Sequence, residues 1–376
     1  MICICIHISE LMSGVFRYFL AGLTMISLQV LQGCSDYTTT GDLVLDEFIE
    51  VPEVLVPIQS IKLESYGILM PASLIKYGEF FLIEKGQGNN IIDILSLSTG
   101  EIINCFRKGR GPGEVTTGSS FQIINNTIYL YDISTQRYLS LDIDETIANR
   151  TALPNVVFRF NTSREDGKPL RPFVLHQIDN DRFISTGIFP EESWFCLTDS
   201  SYNYLSGVDY LEYDVVSQMG RDDVKHSFHV SSVFGVHPDG NKAICAFCPV
   251  AAFSIFQINK TTLEEKYRYV VNRDPGAWSP GSSMGNATIS WKPESIRGYL
   301  DVCADNKYIY LLYSGKKVGD RESPSYVCKH LLVYDWTGRP IKRYLLETEV
   351  SSIWLEENKL YCITSFPFSE IVIYQL

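Results

Sequence analysis

Short runs rich in β-branched and aromatic residues recur along the chain from about residue 58 to the C-terminus. Residues that favour turns, chiefly Gly, Asn, Asp and Pro, separate these runs at intervals of about eight to twelve residues. No stretch beyond the N-terminal region sustains the 3.6-residue apolar period of an amphipathic helix. The pattern therefore predicts an all-β fold.

The runs group into similar units of about 45 to 55 residues with four strands each, a spacing typical of radial repeats. In the first unit we expect one strand leading to Tyr77 and three more at Glu79–Glu84, Ile91–Ser96 and Ile102–Arg107. Further units begin near residues 119, 176, 234 and 298, and a sixth unit, from Val350, ends after its third strand.

Six four-stranded antiparallel units predict a six-bladed β-propeller. A last blade with only three strands would leave an open edge. The segment Ile58–Ser65 can supply the missing strand by pairing with Ile371–Tyr374, which would close the ring. We therefore expect one propeller domain over residues 58–376.

The N-terminal region has the layout of a signal peptide. From Met12 the chain has one cation, Arg17, and an apolar run from Tyr18 to Leu31, which is too short for a spanning helix. The following "LQGC", residues 31–34, resembles the bacterial lipobox, although Gln32 departs from its usual residue types. We predict a signal peptide over residues 1–33, translation from Met12, lipid on Cys34 and a tether over residues 34–57. The alternative is secretion with a free Cys34.

This layout predicts an outer-membrane lipoprotein on either the periplasmic or the surface side, with the membrane as one partner through the lipid. The formal net charge is −12, and it stays at −12 without the first 33 residues, which hold one acid and one base, Glu10 and Arg17. Binding to nucleic acid needs a basic stripe. The charge therefore disfavours nucleic acid as a partner. We expect a monomer whose partner is a glycan, a peptide or an envelope protein.

The stretch "FRKGRGPGEV", residues 106–115, combines three glycines with Pro112, Glu114 and three cations. It follows a strand and leads into the strand "SSFQII", whereas a phosphate-binding glycine loop needs a following helix. Gly109, Gly111, Pro112, Gly113 and Glu114 are therefore interpreted as a structural turn, in which the glycines allow positive φ and Glu114 ties the loop down. The alternative is an anion site formed by Arg107, Lys108 and Arg110.

The same stretch carries a resemblance to known families. "GRGPGE" followed by "IINNTIYLYDISTQRYLSLDID" resembles the NHL-type repeat, in which such a turn precedes a strand pair that ends in an aspartate. With the lipobox and "LLVYDWTGRPIKRYLL", residues 331–346, the chain is similar to the TolB-like six-bladed propeller lipoproteins of the Bacteroidetes. The resemblance covers about residues 55–376 and implies no catalytic residues.

Other candidate sites are few. The long connection Asn272–Gly298 places Trp278 and Trp291 among polar residues, where an indole can stack on a sugar or a partner side chain, or simply hold the loop. His226, His229, Asp222 and Asp223 lie in a polar stretch that is either a cation site or a solvated loop. The cysteines from Cys105 onward are seven, scattered through strand-like runs as small buried hydrophobes.

These observations favour a non-catalytic binding or scaffold module with no cofactor and no metal. The alternative is a hydrolase or lyase with its active site at the central channel, assembled from several blades. No nucleophile elbow and no Ser/His/Asp constellation is visible along the chain. Residues from different blades converge only in the folded protein, however, so this alternative stays open.

Overall fold

The structure is a computed structural model that describes residues 41–150, 153–160, 170–189, 193–209, 231–271, 281–283, 286–288 and 291–376. It divides into two compact units, Met1–Asp46 and Glu47–Leu376. In the described part of the first unit, Asp42 accepts hydrogen bonds at its side chain from Val44 N and at its carbonyl from Asp46 N, both at 2.9 Å. A 3₁₀ helix covers Leu45–Glu47.

The second unit begins with two short strands, β1 (Glu53–Leu55) and β2 (Gln59–Lys62), which join sheets formed by much later residues. A 3₁₀ helix, Leu63–Tyr66, follows them. Three four-stranded antiparallel sheets come next as blades 1 to 3. Their strands are β3 (Pro71–Tyr77), β4 (Phe80–Lys85), β5 (Asn90–Ser96) and β6 (Ile102–Arg107); β7 (Gly118–Ile124), β8 (Thr127–Asp132), β9 (Arg137–Asp142) and β10 (Asn155–Arg159); β11 (Arg171–Gln177), β12 (Arg182–Ile188), β13 (Ser193–Asp199) and β14 (Tyr204–Asp209).

Blades 4 to 6 complete the ring. Between blades 4 and 5, two short strands form a separate antiparallel hairpin. The strands are β15 (Ser232–Val236), β16 (Lys242–Phe247), β17 (Ala252–Ile258) and β18 (Leu263–Val270); the hairpin strands β19 (Gly281–Ser283) and β20 (Asn286–Thr288); β21 (Tyr299–Ala304), β22 (Tyr308–Tyr313), β23 (Cys328–Asp335) and β24 (Pro340–Val350); β25 (Ser352–Glu356), β26 (Lys359–Thr364) and β27 (Glu370–Gln375).

The predicted ring closure is confirmed. Strand β2 pairs antiparallel with β27, with Gln59 opposite Ile373 and Ile61 opposite Ile371, so blade 6 gains its fourth strand from the N-terminal side of the domain. Strand β1 pairs in parallel with β24 and becomes a fifth strand of blade 5. It lies within the segment for which the sequence predicts a tether.

Within the described residues, one short α-helix interrupts the all-β pattern. Helix α1 (Ile143–Asn149) lies between β9 and β10, and Asp142 caps it by accepting a hydrogen bond from Glu145 N at 2.8 Å. Its two turns bury Ile143 and Thr146 only, too few apolar positions to produce a helical period in the sequence. Among the described residues, no helix is long and apolar enough to cross a membrane.

Large aromatic side chains fill the core. Phe81 of blade 1 meets Tyr361 of blade 6 edge to face, with ring centroids 5.7 Å apart, and Phe253 of blade 4 meets Tyr334 of blade 5 at 4.9 Å. Such pairs add to the stabilisation from apolar burial. Of the seven described cysteines, five are fully buried, which confirms their interpretation as core residues; Cys248 and Cys303 are half-buried.

Chain direction assigns every loop to one of two faces of the ring. The first, innermost strand of a blade starts where the fourth strand of the preceding blade ends. Connections between blades and turns between second and third strands therefore share one face, which we call the connection face. In the described residues it includes segments 63–70, 108–117 and 291–298 between blades and turns 86–89, 314–327 and 365–369 within blades.

Candidate functional site: the central channel at the connection face

A cavity of about 570 Å³ lies at the centre of the ring, lined by residues of all six innermost strands, β3, β7, β11, β15, β21 and β25. Ligand pockets commonly have volumes of about 300–1,000 Å³. The cavity is therefore large enough to hold a small ligand or a side chain of a partner.

Strand register aligns the innermost strands with one another. Each blade has a hairpin turn between its first and second strands. Counting back four positions from the residue that precedes this turn gives one cavity residue in each blade. These six residues lie at one level near the connection face. In blade order they are Ser73, Ser120, Val174, Val233, Asp301 and Ser352. Blades 5, 6, 1 and 2 thus contribute polar side chains at this level, and blades 3 and 4 contribute valines.

Asp301 and Glu84 are the two carboxylates of the cavity wall. Asp301 Oδ2 accepts hydrogen bonds from Ser352 Oγ at 2.6 Å and from Ile353 N at 2.9 Å. Glu84 Oε2 accepts one from Ser73 Oγ at 2.7 Å. Neither carboxylate forms an ion pair with any described residue.

The cavity holds the pKa of both carboxyls above their ordinary values. Burial is the main cause for each, because it disfavours the ionised form, and hydrogen bonds from Ser352 and Ser73 oppose it only in part. The charge of Asp301 further raises the pKa of Glu84, so the two groups act on each other across the cavity wall. A cation that enters the channel would pair with these carboxylates and offset the free-energy cost of ionising them in a buried site.

Two residues further along the innermost strands of blades 3, 6 and 2, the wall contains His176, Trp354 and Gln122. Burial lowers the pKa of His176 to about 4, so its imidazole is neutral at neutral pH, and its ring lies 6.0 Å from that of Phe234. Gln122 is occupied structurally, since its Oε1 accepts a hydrogen bond from Gln177 N at 3.1 Å. Among the buried polar atoms of the wall, Trp354 Nε1 and Ser119 Oγ have no hydrogen-bond partner in the described part of the chain.

Asp301, Glu84 and His176 are not among the candidates that the sequence predicts. They lie far apart in the chain, in three different blades, and each lies within or at the end of an apolar strand-like run. The available signal was the hairpin turn, because counting back from it aligns the innermost strands and brings Asp301 level with Ser352 and Ser73.

The glycine-rich loop between blades 1 and 2 is held by Glu114. Glu114 Oε2 accepts a hydrogen bond from Gly111 N at 2.8 Å, and Glu114 N donates one to Gly111 O at 3.1 Å. Gly109 N donates to Val115 O at 3.0 Å. Arg107 Nε lies 3.7 Å from Glu114 Oε1, with an exposed guanidinium.

The sequence predicts positive φ for the glycines of this loop, and this prediction is correct at one position only. Gly113 has φ +73°, whereas Gly109 and Gly111 do not have positive φ. Those two are small because the Glu114 carboxylate packs against them: a Cβ on Gly109 would lie 2.0 Å from Glu114 Oε2, and one on Gly111 would lie 3.0 Å from it. The structure thus replaces a conformational explanation with a steric one for two of the three glycines.

Several sequence candidates share the connection face without meeting. Arg107, Lys108 and Arg110 lie between blades 1 and 2, with Arg110 exposed and Lys108 half-buried. Trp291 precedes blade 5, and the Arg297 guanidinium lies over its ring at 5.3 Å from the centroid. A structural turn at Gly109–Glu114, an anion site at the three cations and ligand stacking at Trp291 all stay predictions.

Other sequence candidates lie outside the described residues: the signal peptide with Met12, Cys34, Trp278, the pair His226 and His229, and their neighbours Asp222 and Asp223. Within the described residues, no group of three or more His, Cys, Asp or Glu side chains is arranged to hold a metal ion.

Known proteins similar to this chain were found among solved structures and family descriptions. No curated protein matches it. A putative exported protein from Bacteroides fragilis is similar in structure, with 11% identity over 86% of this chain and 97% of that one, and a TM-score of 0.48. BamB from Moraxella catarrhalis is similar over 81% of this chain and 71% of its own, with 10% identity and a TM-score of 0.37. The family described as TolB-like 6-blade propeller-like matches residues 51–358. Because this match spans most of the chain, the protein belongs to the TolB-like six-bladed propeller family.

Proposed function

We propose that this protein is a lipid-anchored module of the bacterial envelope that binds its ligand, without transforming it, at the connection-face end of the central channel. The TolB-like propeller fold suggests a binding or scaffold module. The segment "LQGC" before residue 35 supports the lipid anchor on Cys34. The ligand is a glycan, a peptide or part of an envelope protein.

The cavity carries the binding part of the proposal. It has the volume of a ligand site, and at one level it presents hydroxyls and a carboxylate on one side and the valines of blades 3 and 4 on the other. Ligand sites combine apolar walls with a few polar groups that fix orientation. Ser352, Asp301 and Ser73 are held by hydrogen bonds, so these groups are already in place before a ligand enters.

The alternative, a hydrolase or lyase, is favoured by one observation. Carboxyls with raised pKa in a cleft are candidate general acids, and Asp301 and Glu84 are two such groups in one cavity. The distinguishing measurement is the mass of a bound ligand after incubation. An unchanged mass supports the binding module, whereas a cleaved ligand, with cleavage abolished and binding kept in Asp301→Asn, supports the enzyme.

Two experiments test the proposal. Replacing Cys34 by serine should release the protein from the membrane fraction or leave it unprocessed, and unchanged membrane partition and mobility would rule out the anchor.

For binding, full-length protein in detergent is applied to arrays of glycans and peptides. Ser73→Ala and Asp301→Asn, both in the cavity wall, should weaken capture of the ligand. The matched control is Lys260→Ala in the exposed turn between β17 and β18 on the opposite face. Equal capture by all three variants would exclude the channel as the site.

A further inference from the structure

The connection face exposes large apolar side chains beside one sector of the channel. Leu69 is 65% exposed and Met70 is 47% exposed in the connection from blade 6 to blade 1; Phe366 is 37% and Phe368 is 58% exposed in the turn between β26 and β27. Tyr326, 50% exposed, lies in the corresponding turn of blade 5. We call these five residues the aromatic patch. A contiguous exposed apolar patch marks an interaction site more often than scattered residues do.

Hydrogen bonds hold the patch together. Ser369 Oγ donates to Leu69 O, which joins the turn that carries Phe366 and Phe368 to the connection that carries Leu69 and Met70. Met70 O accepts a hydrogen bond from Gly86 N at 2.9 Å, which fixes it against blade 1. The patch is therefore built on fixed backbone segments, so a partner would meet a preformed surface.

The patch and the channel carboxylates belong to the same sector of the ring. Tyr326 and Asp301 are in blade 5, Phe366, Phe368 and Ser352 are in blade 6, and the connection with Met70 leads directly into β3. Met70 precedes Ser73, the hydroxyl partner of Glu84, by three residues, a distance of about 10 Å along a strand. An apolar surface thus adjoins a channel mouth that holds two carboxylates with no ion-pair partner among the described residues.

We propose that this sector binds a protein segment that places a lysine or arginine side chain in the channel mouth, toward Asp301 and Glu84, and packs apolar side chains on the aromatic patch. This inference rests on the proposed function and names its ligand class. Trp354 Nε1 and Ser119 Oγ in the channel wall, which have no partner among the residues that the structure describes, offer further polar contacts to the inserted group.

The chemistry favours a protein segment over a glycan as the occupant. The patch contains aliphatic as well as aromatic side chains, and it adjoins carboxylates that a cation would neutralise. A polypeptide carries apolar and cationic side chains a few residues apart, whereas a neutral glycan offers no cation to Asp301 and Glu84. Lysine and arginine can also lay their aliphatic stems along apolar surface while the charge reaches a polar site.

The test uses full-length protein in detergent and a library of random heptapeptides displayed on phage. Retained peptides should be enriched in lysine or arginine next to aromatic or aliphatic residues, by about tenfold or more over the starting library, the ratio that about 1.4 kcal/mol of binding free energy gives. The double variant Asp301→Asn, Glu84→Gln should lose the preference for basic residues. The double variant Phe366→Ser, Phe368→Ser should lose the preference for apolar residues.

Two control variants lie outside the aromatic patch and the channel wall. Leu153→Ser changes an apolar side chain that is 81% exposed in the connection before β10, and Glu357→Gln removes an exposed charge in the turn after β25. Both should retain peptides as the unchanged protein does. A melting curve of each variant separates loss of binding from loss of fold.

The outcomes separate this inference from the proposed function. Retention of glycans but not of peptides, with loss in the channel variants, would overturn the inference and keep the binding module. Peptides retained without basic enrichment, or with enrichment unchanged in the Asp301 and Glu84 variant, would also overturn it. Capture of neither glycans nor peptides would contradict the proposed function itself.

Discussion

Asp132 and Arg137 form a buried ion pair, in which Arg137 Nη2 lies 3.0 Å from Asp132 Oδ2. The Arg137 side chain is 4% exposed and the Asp132 side chain is 0% exposed. Arg137 Nη2 also donates a hydrogen bond to the carbonyl of Glu114, and Asp132 accepts hydrogen bonds from Thr116 N and Thr117 N at 3.0 and 3.2 Å. The pair therefore links the turn after β8 to the loop that joins blades 1 and 2.

Replacing one partner of this pair should destabilise the protein strongly. Arg137→Met leaves the Asp132 carboxylate buried without its cation, which we expect to cost about 3–5 kcal/mol of unfolding free energy. The control is Arg339→Ala. Arg339 Nη2 lies 3.0 Å from Asp335 Oδ2, but the Arg339 side chain is 74% exposed, so its loss should cost at most about 1 kcal/mol. Urea unfolding of both variants measures the difference, and equal costs would contradict a role for burial.

Steric contact with Glu114 predicts the response of the glycine-rich loop. Gly109→Ala places a Cβ where the Glu114 carboxylate lies, so the flexible Glu114 side chain must move and give up its hydrogen bond from Gly111 N. We expect this to cost about 0.5–1.5 kcal/mol of unfolding free energy. Arg110→Ala, a change of an exposed side chain, should alter it by less than about 0.5 kcal/mol.

A double-mutant cycle isolates the cause. Glu114→Ala removes the group that clashes with the new Cβ, so Gly109→Ala should cost clearly less in the Glu114→Ala background than in the unchanged protein. Additive losses would show that another property of Gly109 is responsible. Loss of anionic-ligand binding in Arg110→Ala, with stability unchanged, would instead favour the anion-site alternative for Arg107, Lys108 and Arg110.

The strands could be predicted because each blade is local in sequence. The observed β6, Ile102–Arg107, has the predicted bounds; β4 is shifted by one residue at both ends, and β5 begins one residue before the predicted start. Turn residues such as Gly, Asn, Asp and Pro separate most of the apolar runs, so the strands are visible one by one. Ring closure by Ile58–Ser65 followed from counting three strands in the last unit.

The channel could not be predicted because its parts are brought together by the ring alone. Asp301 contacts Ser352 of the next blade, and Glu84 lies on the second strand of blade 1, directly after an apolar run of four residues. Helix α1 was missed for a different reason: seven residues with two buried positions give no measurable period. For Gly109, the decisive neighbour is the Glu114 carboxylate, and sequence spacing does not tell where a side chain packs.

The strand that closes the ring should contribute strongly to stability. Ile61 is 9% exposed and packs with Ile371 and Ile373 in one apolar cluster, so Ile61→Ala should cost about 2–5 kcal/mol. Ile58 precedes the same strand but is 56% exposed, and Ile58→Ala should change the unfolding free energy by less than about 0.5 kcal/mol. Similar values for both substitutions, measured by urea unfolding, would argue against closure of the ring through β2.

The carboxyls of the channel predict a dependence of stability on pH. Burial raises the pKa of Asp301 and of Glu84 in the folded protein above the ordinary values of about 3.9 and 4.3. The folded state then holds protons that the unfolded chain has released, so these two groups lower the unfolding free energy as pH rises through that interval. Below the ordinary values both states are protonated and the effect vanishes.

Asp301→Asn should remove its share of this pH dependence, because an amide carries no charge. The amide oxygen can still accept from Ser352 Oγ and Ile353 N, but its NH2 group then faces Val302 N in place of Oδ1, a cost that does not change with pH. We therefore expect the unfolding free energy of the variant, relative to that of the unchanged protein, to increase from pH 3.5 to pH 7. Urea unfolding at half-unit steps of pH measures it, and subtracting the two curves cancels groups such as Asp132, whose pKa burial raises but hydrogen bonds lower overall. A relative unfolding free energy that decreases with rising pH would mean that Asp301 is stabilised as a carboxylate in the folded protein. The hydrogen bonds from Ser352, Ile353 and Val302 would then outweigh the effect of burial on its pKa.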